Sequence, residues 1–256
     1  MDGKQAELAV VVGATGDFGQ AIVGRLLQAG LGVVAVARSA GSLDALCSEF
    51  AGVGAGVRAC VADIGDDSAI AALTASVDRP VRAVVHGPGV AVAGGILNAP
   101  TAALVDAVNI KVGGLLRLVR AVDERLVAGS RLIAIGGHYG FEPTAYAASA
   151  GIANAALVNA VRQLSLAYGE RGITAHLIAP GPADTARLHR VAADRAAMRG
   201  VTVDTVLDDM RAESSIRAFT TPAQVAWAVS TLLAPEADAM TGATLMLDSG
   251  RRRGLP

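Results

Sequence analysis

The sequence predicts a single α/β domain, built on a doubly wound parallel sheet with helices on both faces. Short runs of apolar, mostly β-branched residues alternate with longer stretches in which apolar residues recur at helical spacing. The short runs are almost continuously apolar, which is typical of parallel strands covered on both sides. The 256 residues contain no linker and no internal repeat, so we expect one domain over residues 1–256.

The elements can be assigned in order along the chain. Strands are expected at Glu7–Val12, Gly32–Ala37, Val57–Ala62, Val81–Val85, Arg131–Ile135, Ile173–Ile178 and Ala243–Leu247. Helices are expected at Asp17–Ala29, Thr101–Val127 and Ala145–Glu170. Residues 186–221 are richer in charge and have no strand pattern, so we expect a helical excursion at the rim of the sheet.

Composition limits the function classes. Hydrophobic residues make up 52% and charged residues 18% of the chain, which excludes disorder as the dominant state. The net charge of −1 argues against a strongly basic nucleic-acid binder. Neither a membrane span nor a secretory signal is expected, because long apolar runs are absent and Met1–Glu7 carries acids. Cys47 and Cys60 lack zinc or disulfide spacing, so we expect a cytoplasmic protein without a catalytic metal.

The turn after the first strand has the pattern of a phosphate-binding loop. Gly13, Gly16 and Gly19 lie between a strand and a helix, where glycine permits a tight turn close to a pyrophosphate and the helix N-terminus attracts the anion. This predicts a Rossmann-like dinucleotide site that also includes Thr15, Asp17 and Phe18. The Asp17 carboxylate would repel a phosphate about 4 Å away by about 1–4 kcal/mol, unless it points to solvent or serves the first helical turn.

The end of the second strand selects the cofactor. Chains that bind NAD commonly have Asp or Glu there, which holds the ribose 2′-hydroxyl. This chain has Arg38 and Ser39 instead, and an arginine can pair with a 2′-phosphate. The sequence therefore predicts NADP(H). The alternative is that Arg38 is an ordinary solvated arginine at the start of a loop.

Further motifs resemble the short-chain dehydrogenase/reductase family over nearly the whole chain. In chain order they are Cys60–Ile64, Val108–Lys111, Tyr146–Gly151, Pro180–Thr185, Thr221–Ala226 and Met240–Gly250. The resemblance implies that Tyr146 is the catalytic tyrosine and that Asn109 holds a water in the proton relay. It also implies further cofactor contacts, which are Asp63, Ile64, Gly87, Pro88, Gly89, Pro180, Gly181 and Thr185.

The chain also departs from the family pattern. The family lysine, four residues after the tyrosine, is replaced by Ala150, and the family serine after the fifth strand is replaced by Gly137. The spacing of Gly13, Gly16 and Gly19 is that of the family's extended branch. The general acid–base catalysis that this lysine and serine support typically raises the reaction rate by about 10²- to 10⁴-fold. We therefore expect an atypical active site that reduces ordinary ketones slowly.

Three functions remain open from the sequence. The first is hydride transfer between NADP(H) and a carbonyl, with His138 as the leading substitute for the serine and Tyr139 as a weaker one; an imine or iminium substrate would need neither serine nor lysine. The second is a redox-neutral reaction of secondary metabolism, such as cyclisation, isomerisation or dehydration. The third is a non-catalytic role in binding a ligand or a partner.

The excursion at 186–221 is expected to act as the substrate lid. Its apolar residues predict a mid-sized, mostly apolar organic substrate; the alternative is that they simply pack within the lid. They include Leu188, Val191, Met198, Val206, Leu207 and Met210. The helix that follows Tyr146 is rich in small residues, and the matching family helix packs between subunits, so we expect a homodimer or homotetramer.

Overall fold

The computed structural model describes residues 6–91 and 94–254. Within these ranges seven parallel strands form one sheet, in the spatial order β3-β2-β1-β4-β5-β6-β7. In chain order the strands β1 to β7 are Leu8–Val12, Gly32–Ala37, Val57–Val61, Val81–His86, Leu126–Ile135, Thr174–Pro180 and Thr244–Leu247. The order reverses between β1 and β4, and parallel sheets bind ligands outside the strand ends at such a point. The predicted α/β fold class is confirmed.

Nine α-helices connect and cover the strands in the described ranges. In chain order α1 to α9 are Asp17–Gln28, Ala40–Glu49, Ser68–Ser76, Thr101–Val108, Gly114–Val122, Ala148–Tyr168, Ala186–Arg199, Val203–Ala212 and Pro222–Thr231. The strands lie between two apolar layers because alternate residues point to opposite faces. Val10 and Val12 belong to one layer, and Ala9 and Val11 belong to the other. This is why the strand sequences are continuously apolar.

The long helix predicted at Thr101–Val127 is confirmed up to Arg125, but its regular geometry is interrupted. The chain forms α4, a π-helical turn at Asn109–Gly113, α5 and a short 3₁₀ turn, and β5 begins at Leu126. Close packing explains the glycine at the junction, because a Cβ on Gly114 would lie 2.9 Å from the His86 ring. Similarly, α6 begins at Ala148 rather than Ala145, so Tyr146 precedes the helix.

The excursion at 186–221 contains α7 and α8, which share a small apolar core. That core consists of Leu188, Ala192, Ala196, Val206, Leu207, Met210 and Phe219. Most of the apolar residues that suggested an apolar substrate are therefore used inside the excursion itself. Among the residues that the structure describes, no helix is long and apolar enough to cross a membrane. The same residues include no cluster of His, Cys, Asp and Glu suited to a metal ion.

The first five residues, on which the expectation about a secretory signal rests in part, lie outside the described ranges.

Candidate active site

The glycine turn between β1 and α1 is tightly packed. Gly13 has a φ of +82°, and a Cβ on it would lie 3.1 Å from the Gly87 carbonyl carbon. A Cβ on Gly19 would lie 2.6 Å from the backbone of Ala14. Gly16 is the N-cap of α1 and offers no side chain to the N–H groups of the first turn. These N–H groups therefore suit the phosphates of a dinucleotide.

Asp17 and Phe18 follow the turn in different environments. Asp17 is the first residue of α1 and is exposed, so its carboxylate reaches solvent and is favoured by the helix dipole. The ring of Phe18 packs against the apolar layer beside α1, and only its backbone is available to a ligand. Thr15 is half-buried at the tip of the turn, where its carbonyl accepts a hydrogen bond from Gln20 at 3.0 Å.

The ends of β2 and β3 lie beside this turn. Arg38 directly follows β2 and is exposed, and no described residue forms a salt bridge with it. Ser39 caps α2, because its Oγ accepts the Ser42 N–H at 3.2 Å. After β3, Asp63 is exposed and accepts the Gly65 N–H at 3.0 Å, while Ile64 is buried. Together with the glycine turn, these residues fit a nicotinamide dinucleotide.

The Asn109 side chain faces the loop after β3. Its Nδ2 donates to the Gly65 carbonyl at 2.8 Å, and its Oδ1 accepts from Arg117 at 2.9 Å. Both ends of the carboxamide are therefore engaged by the protein. Each end keeps a second donor or acceptor site, so the role of Asn109 in holding a relay water stays a prediction.

A buried lysine lies at the floor of the cleft, and the sequence analysis did not single it out. Lys111 is 5% exposed, and its Nζ donates to the Ile135 carbonyl at the end of β5, at 2.8 Å. Burial and, secondly, the Arg187 charge lower the Lys111 pKa to about 8. His86, at the end of β4, donates from Nε2 to the Ile110 carbonyl at 3.0 Å. Burial and then Lys111 lower the His86 pKa to about 3, so this ring is neutral.

His138 is buried behind the cleft and does not behave as an acid at neutral pH. It is 3% exposed, and burial followed by the Arg251 charge lowers its pKa to about 4. The ring borders a cavity of about 270 Å³ that is also lined by Glu142 and Arg251. Arg251 is ion-paired with Glu213. The expectation that His138 replaces the serine is therefore not supported by its surroundings.

Two tyrosines form a hydrogen-bonded pair in the cleft. The phenolic oxygens of Tyr139 and Tyr146 lie 2.8 Å apart, and the guanidinium of Arg195, from α7, lies 4.5 Å from the centre of the Tyr146 ring. Burial acts to raise the Tyr146 pKa, but the hydrogen bonds from Tyr139 and Arg195 outweigh it and leave this pKa below its ordinary value. The Tyr139 pKa is raised, first by burial and then by Tyr146.

The end of β5 faces an asparagine that the sequence analysis also missed. Gly137 lies just after β5, and a Cβ on it would be 2.9 Å from Nδ2 of Asn154 in α6. Asn154 is 6% exposed, and its Oδ1 has no hydrogen-bond partner among the described residues. Ala150, one helical turn earlier, packs in a small cluster against which the Tyr139 ring lies. Ala150 and Asn154 therefore mark the face of α6 that meets the cleft.

The remaining cofactor residues predicted from the sequence surround the same cleft. Pro180 ends β6, Gly181 donates its N–H to the Leu247 carbonyl at 2.9 Å, and Thr185 caps α7 by accepting the Leu188 N–H at 3.4 Å. Gly87, Pro88 and Gly89 form the loop after β4, and Arg187 reaches this loop by donating to the Val90 carbonyl at 2.8 Å. The structure thus brings these predicted residues to the carboxyl edge of the sheet.

Comparison with known proteins agrees with this geometry. Residues 13–252 match the family model described as enoyl-(acyl carrier protein) reductase. The chain is 26% identical to the short-chain reductase protein NovJ of Streptomyces niveus, over 97% of this chain and 95% of that protein. It is 28% identical to actinorhodin polyketide ketoreductase, solved with NADPH, with a TM-score of 0.86 over 98% and 99% of the two chains.

The L-sorbose reductase of Gluconobacter frateurii, solved with NADPH and L-sorbose, gives a TM-score of 0.89 at 21% identity, and both chains are covered in full. At this identity the likeness concerns the fold.

Proposed function

The chain belongs to the short-chain dehydrogenase/reductase family of oxidoreductases, and on this premise we propose that it is an atypical reductase. It transfers hydride from NADPH to a carbonyl carbon or to an imine or iminium carbon. The observation that carries this proposal is the pair of Tyr139 and Tyr146 at the cleft, with the Tyr146 pKa below its ordinary value. A phenol of this kind is suited to donate a proton to a developing alkoxide.

The active-site residues have specific roles in this proposal. NADPH supplies the hydride when it is bound. Tyr146 donates the proton, and Tyr139 hydrogen-bonds the phenolate that remains. Arg195 stabilises this phenolate electrostatically, which is the role that the family lysine would have at residue 150. Lys111 keeps a positive charge beneath the cleft at neutral pH, because its pKa is about 8.

NADP(H) is the proposed cofactor. Gly13, Gly16 and Gly19 would hold the pyrophosphate at the N-terminus of α1. Arg38, which is exposed at the end of β2 without a carboxylate partner in the described chain, would pair with the 2′-phosphate. Actinorhodin polyketide ketoreductase, which is 28% identical, was solved with NADPH, which supports the same choice.

The substrate class is proposed more broadly than the sequence analysis expected. The apolar residues of the lid largely pack on one another, so they no longer favour a mostly apolar substrate. Actinorhodin polyketide ketoreductase is 28% identical, which supports a carbonyl on a chain or ring of moderate size. The expected homo-oligomer and cytoplasmic location stay predictions.

A redox-neutral reaction or a binding role is the second candidate. The observation that favours it is that neither Gly137 nor Ala150 carries a polar side chain, so a ketone reductase of ordinary rate lacks two of its usual groups. Consumption of NADPH discriminates between the candidates. A redox-neutral enzyme or a binding protein leaves NADPH unchanged, whereas a reductase oxidises it.

The test begins with calorimetric titration of NADPH and NADH into the protein. We expect NADPH to bind at least about tenfold more tightly, because charge-assisted contacts to a phosphate contribute about 1.5–3 kcal/mol. Arg38→Ala should remove this preference and leave NADH affinity unchanged. Arg120→Ala, at an exposed site on α5, is the matched control.

The second step is turnover. NADPH absorbance is followed with ethyl acetoacetate, trans-1-decalone and the cyclic imine 2-methyl-1-pyrroline. Oxidation of NADPH with any of them supports the proposal. Binding of NADPH without oxidation would overturn the reductase proposal in favour of a redox-neutral or binding role, and equal affinity for both cofactors would overturn the choice of NADP(H).

A further inference from the structure

We propose that Asn154 is a catalytic residue, whose side-chain N–H donates a hydrogen bond to the substrate's carbonyl oxygen beside Gly137. This role rests on the proposed reductase function. It assigns a polarising group to a site where the residue that follows β5 has no side chain.

Gly137 and Asn154 share one space. Gly137 has an extended backbone, with φ near 180°, so its conformation does not require glycine. A Cβ at this position would lie 2.9 Å from Asn154 Nδ2 and 3.9 Å from the Pro180 carbonyl oxygen. At a distance below 3.0 Å one of the groups must move, and here the group met is the far end of the flexible Asn154 side chain. A larger residue at 137 would therefore displace the Asn154 carboxamide from this space.

The carboxamide is buried and not satisfied by the protein. Asn154 is 6% exposed, and its Oδ1 is buried without a hydrogen-bond partner among the described residues. Buried polar side chains usually have a partner, and an unpaired one calls for an explanation such as a functional role. The other end of the carboxamide, Nδ2, is the one that lies beside Gly137, and a substrate oxygen placed there can accept a hydrogen bond from it.

The position of Asn154 fits a carbonyl substrate. Gly137 and Pro180 lie at the carboxyl ends of β5 and β6, where the cleft is located. Ala150 is one turn before Asn154 on the same face of α6, and the Tyr139 ring packs against the Ala150 cluster. Asn154, on α6, and Tyr146, just before α6, therefore lie at the same end of this helix, and in this proposal a carbonyl oxygen between them accepts from both.

The chemical step balances with these groups. The carbonyl π bond breaks as its carbon gains hydride from the cofactor. The electron pair moves to the oxygen, whose negative charge is stabilised by the Asn154 N–H, as donors in an oxyanion hole do. Tyr146 then gives its proton to the oxygen. Asn154 exchanges no proton and ends the step unchanged.

The same geometry changes what a serine at residue 137 would do. Without the structure, Gly137→Ser would be expected to restore the family group and raise activity. With Asn154 in place, the new side chain displaces the carboxamide from its position beside residue 137, so the single variant should lose activity. A small residue at 154 leaves this space free for the hydroxyl.

The experiment compares wild type, Asn154→Ala, Asn154→Asp, Gly137→Ser and the double variant Gly137→Ser/Asn154→Ala. Asn159→Ala, at an exposed asparagine of the same helix, is the control. Steady-state kinetics with ethyl acetoacetate are measured beside NADPH affinity and thermal melting. Asn154→Asp keeps the shape of the side chain but removes the donor, so it reports on the N–H even if Asn154→Ala folds poorly.

We expect both single changes at Asn154 to lower kcat by about 10²- to 10³-fold, as for loss of one oxyanion donor, with NADPH affinity within about twofold of wild type. Gly137→Ser should lose a similar factor, and the double variant should be at least about tenfold more active than either Asn154→Ala or Gly137→Ser. If the Asn154 variants keep kcat within threefold of wild type, Asn154 does not donate a catalytic hydrogen bond to the carbonyl oxygen. A double variant with a kcat no higher than that of either single variant would overturn the claim that residues 137 and 154 compete for one space.

A spectroscopic measurement separates this proposal from the proposed function. In a complex of the protein, NADP⁺ and ¹³C-carbonyl ethyl acetoacetate, the hydrogen bond should lower the infrared C=O stretching frequency, and Asn154→Asp should abolish that shift. The measurement needs no turnover. A wild type that reduces no probe overturns the reductase function, whereas an infrared shift that is the same in both proteins, or absent from both, overturns the role of Asn154.

Discussion

The cofactor end and the chemical end of the cleft are built in different ways. At the cofactor end the backbone itself makes the site, and the space left at Gly13 and Gly19 admits no Cβ. At the chemical end, side chains from the π-helical turn, the segments that flank α6, and α7 meet at the ends of β4 and β5. A site made of backbone tolerates few sequences, whereas a site made of side chains can be supplied from several places.

On the proposed function, this contrast would allow the catalytic groups to change while the cofactor site is kept. The positions that the family resemblance assigns to lysine and serine hold Ala150 and Gly137. Arg195 and Asn154 reach the same region from other positions. The two ends of the cleft should therefore respond separately to substitution, and the predictions below test that separation.

The largest effect is expected at the chemical end. Tyr146→Phe removes the phenol whose pKa is held below its ordinary value, so we expect kcat to fall by about 10²- to 10⁴-fold. NADPH affinity should stay within about twofold, because the glycine turn is unchanged. Tyr168→Phe is the control, since its hydroxyl donates to Asp123 at the far end of α6, at 2.8 Å.

The partner tyrosine sharpens this result. Tyr139→Phe should lower kcat less than Tyr146→Phe does, because Tyr139 assists the phenolate and does not give up its own proton. If the order is reversed, Tyr139 is the acid. If neither change affects kcat, the reaction needs no phenol, and an iminium substrate is favoured.

The cofactor end should show the opposite pattern. Gly19→Ala places a Cβ 2.6 Å from the Ala14 backbone, so the turn must open. We expect calorimetry to show at least about tenfold weaker NADPH binding, together with a lower melting temperature. Gly169→Ala is the matched control, because a Cβ on this residue after α6, outside the glycine turn, would meet nothing within 4 Å. Equal binding by both variants would show that packing of the turn does not control the site.

Much of the fold could be predicted from the sequence, because the strands carry a strong signal. All seven predicted strands are present in the described ranges, and the largest boundary error is at β5, which begins at Leu126 rather than Arg131. The short helices α2 and α3 were not predicted, since each buries only two apolar residues and has weak helical periodicity.

The chemical end was predicted less well than the cofactor end. The glycine turn is local, so its spacing could be recognised within seven consecutive residues. Asn154 is recognised only by its distance to the Cβ position of Gly137. Lys111 is recognised only by its hydrogen bond to the Ile135 carbonyl. These contacts join residues far apart in the chain, and a motif has no information on them. Tyr146 was singled out from its motif, whereas Arg195, whose guanidinium lies over the Tyr146 ring, was not.

The smallest expected effect concerns stability at the chemical end. The unfolded chain protonates His138 below about pH 6.5, whereas the folded protein does so only below about pH 4, chiefly because the ring is buried. The folded state therefore binds fewer protons, and its stability should fall as the pH is lowered from about 6.5 to about 4. His86 and His176, which have lowered pKa values of about 3 and 4, act in the same direction.

His138→Gln isolates the contribution of this one ring. Urea unfolding at pH 6.5 and pH 5 should show a loss of stability that is up to about 2 kcal/mol smaller in the variant than in wild type, since each unit of pH corresponds to about 1.4 kcal/mol for one proton. His189→Gln, at an exposed residue beside Asp184, should keep the wild-type difference. If His138→Gln loses as much stability as wild type between pH 6.5 and pH 5, the His138 ring is already protonated in the folded protein at pH 5. His138 would then be available as an acid in the cleft, and the division of roles between His138 and Tyr146 would have to be reversed.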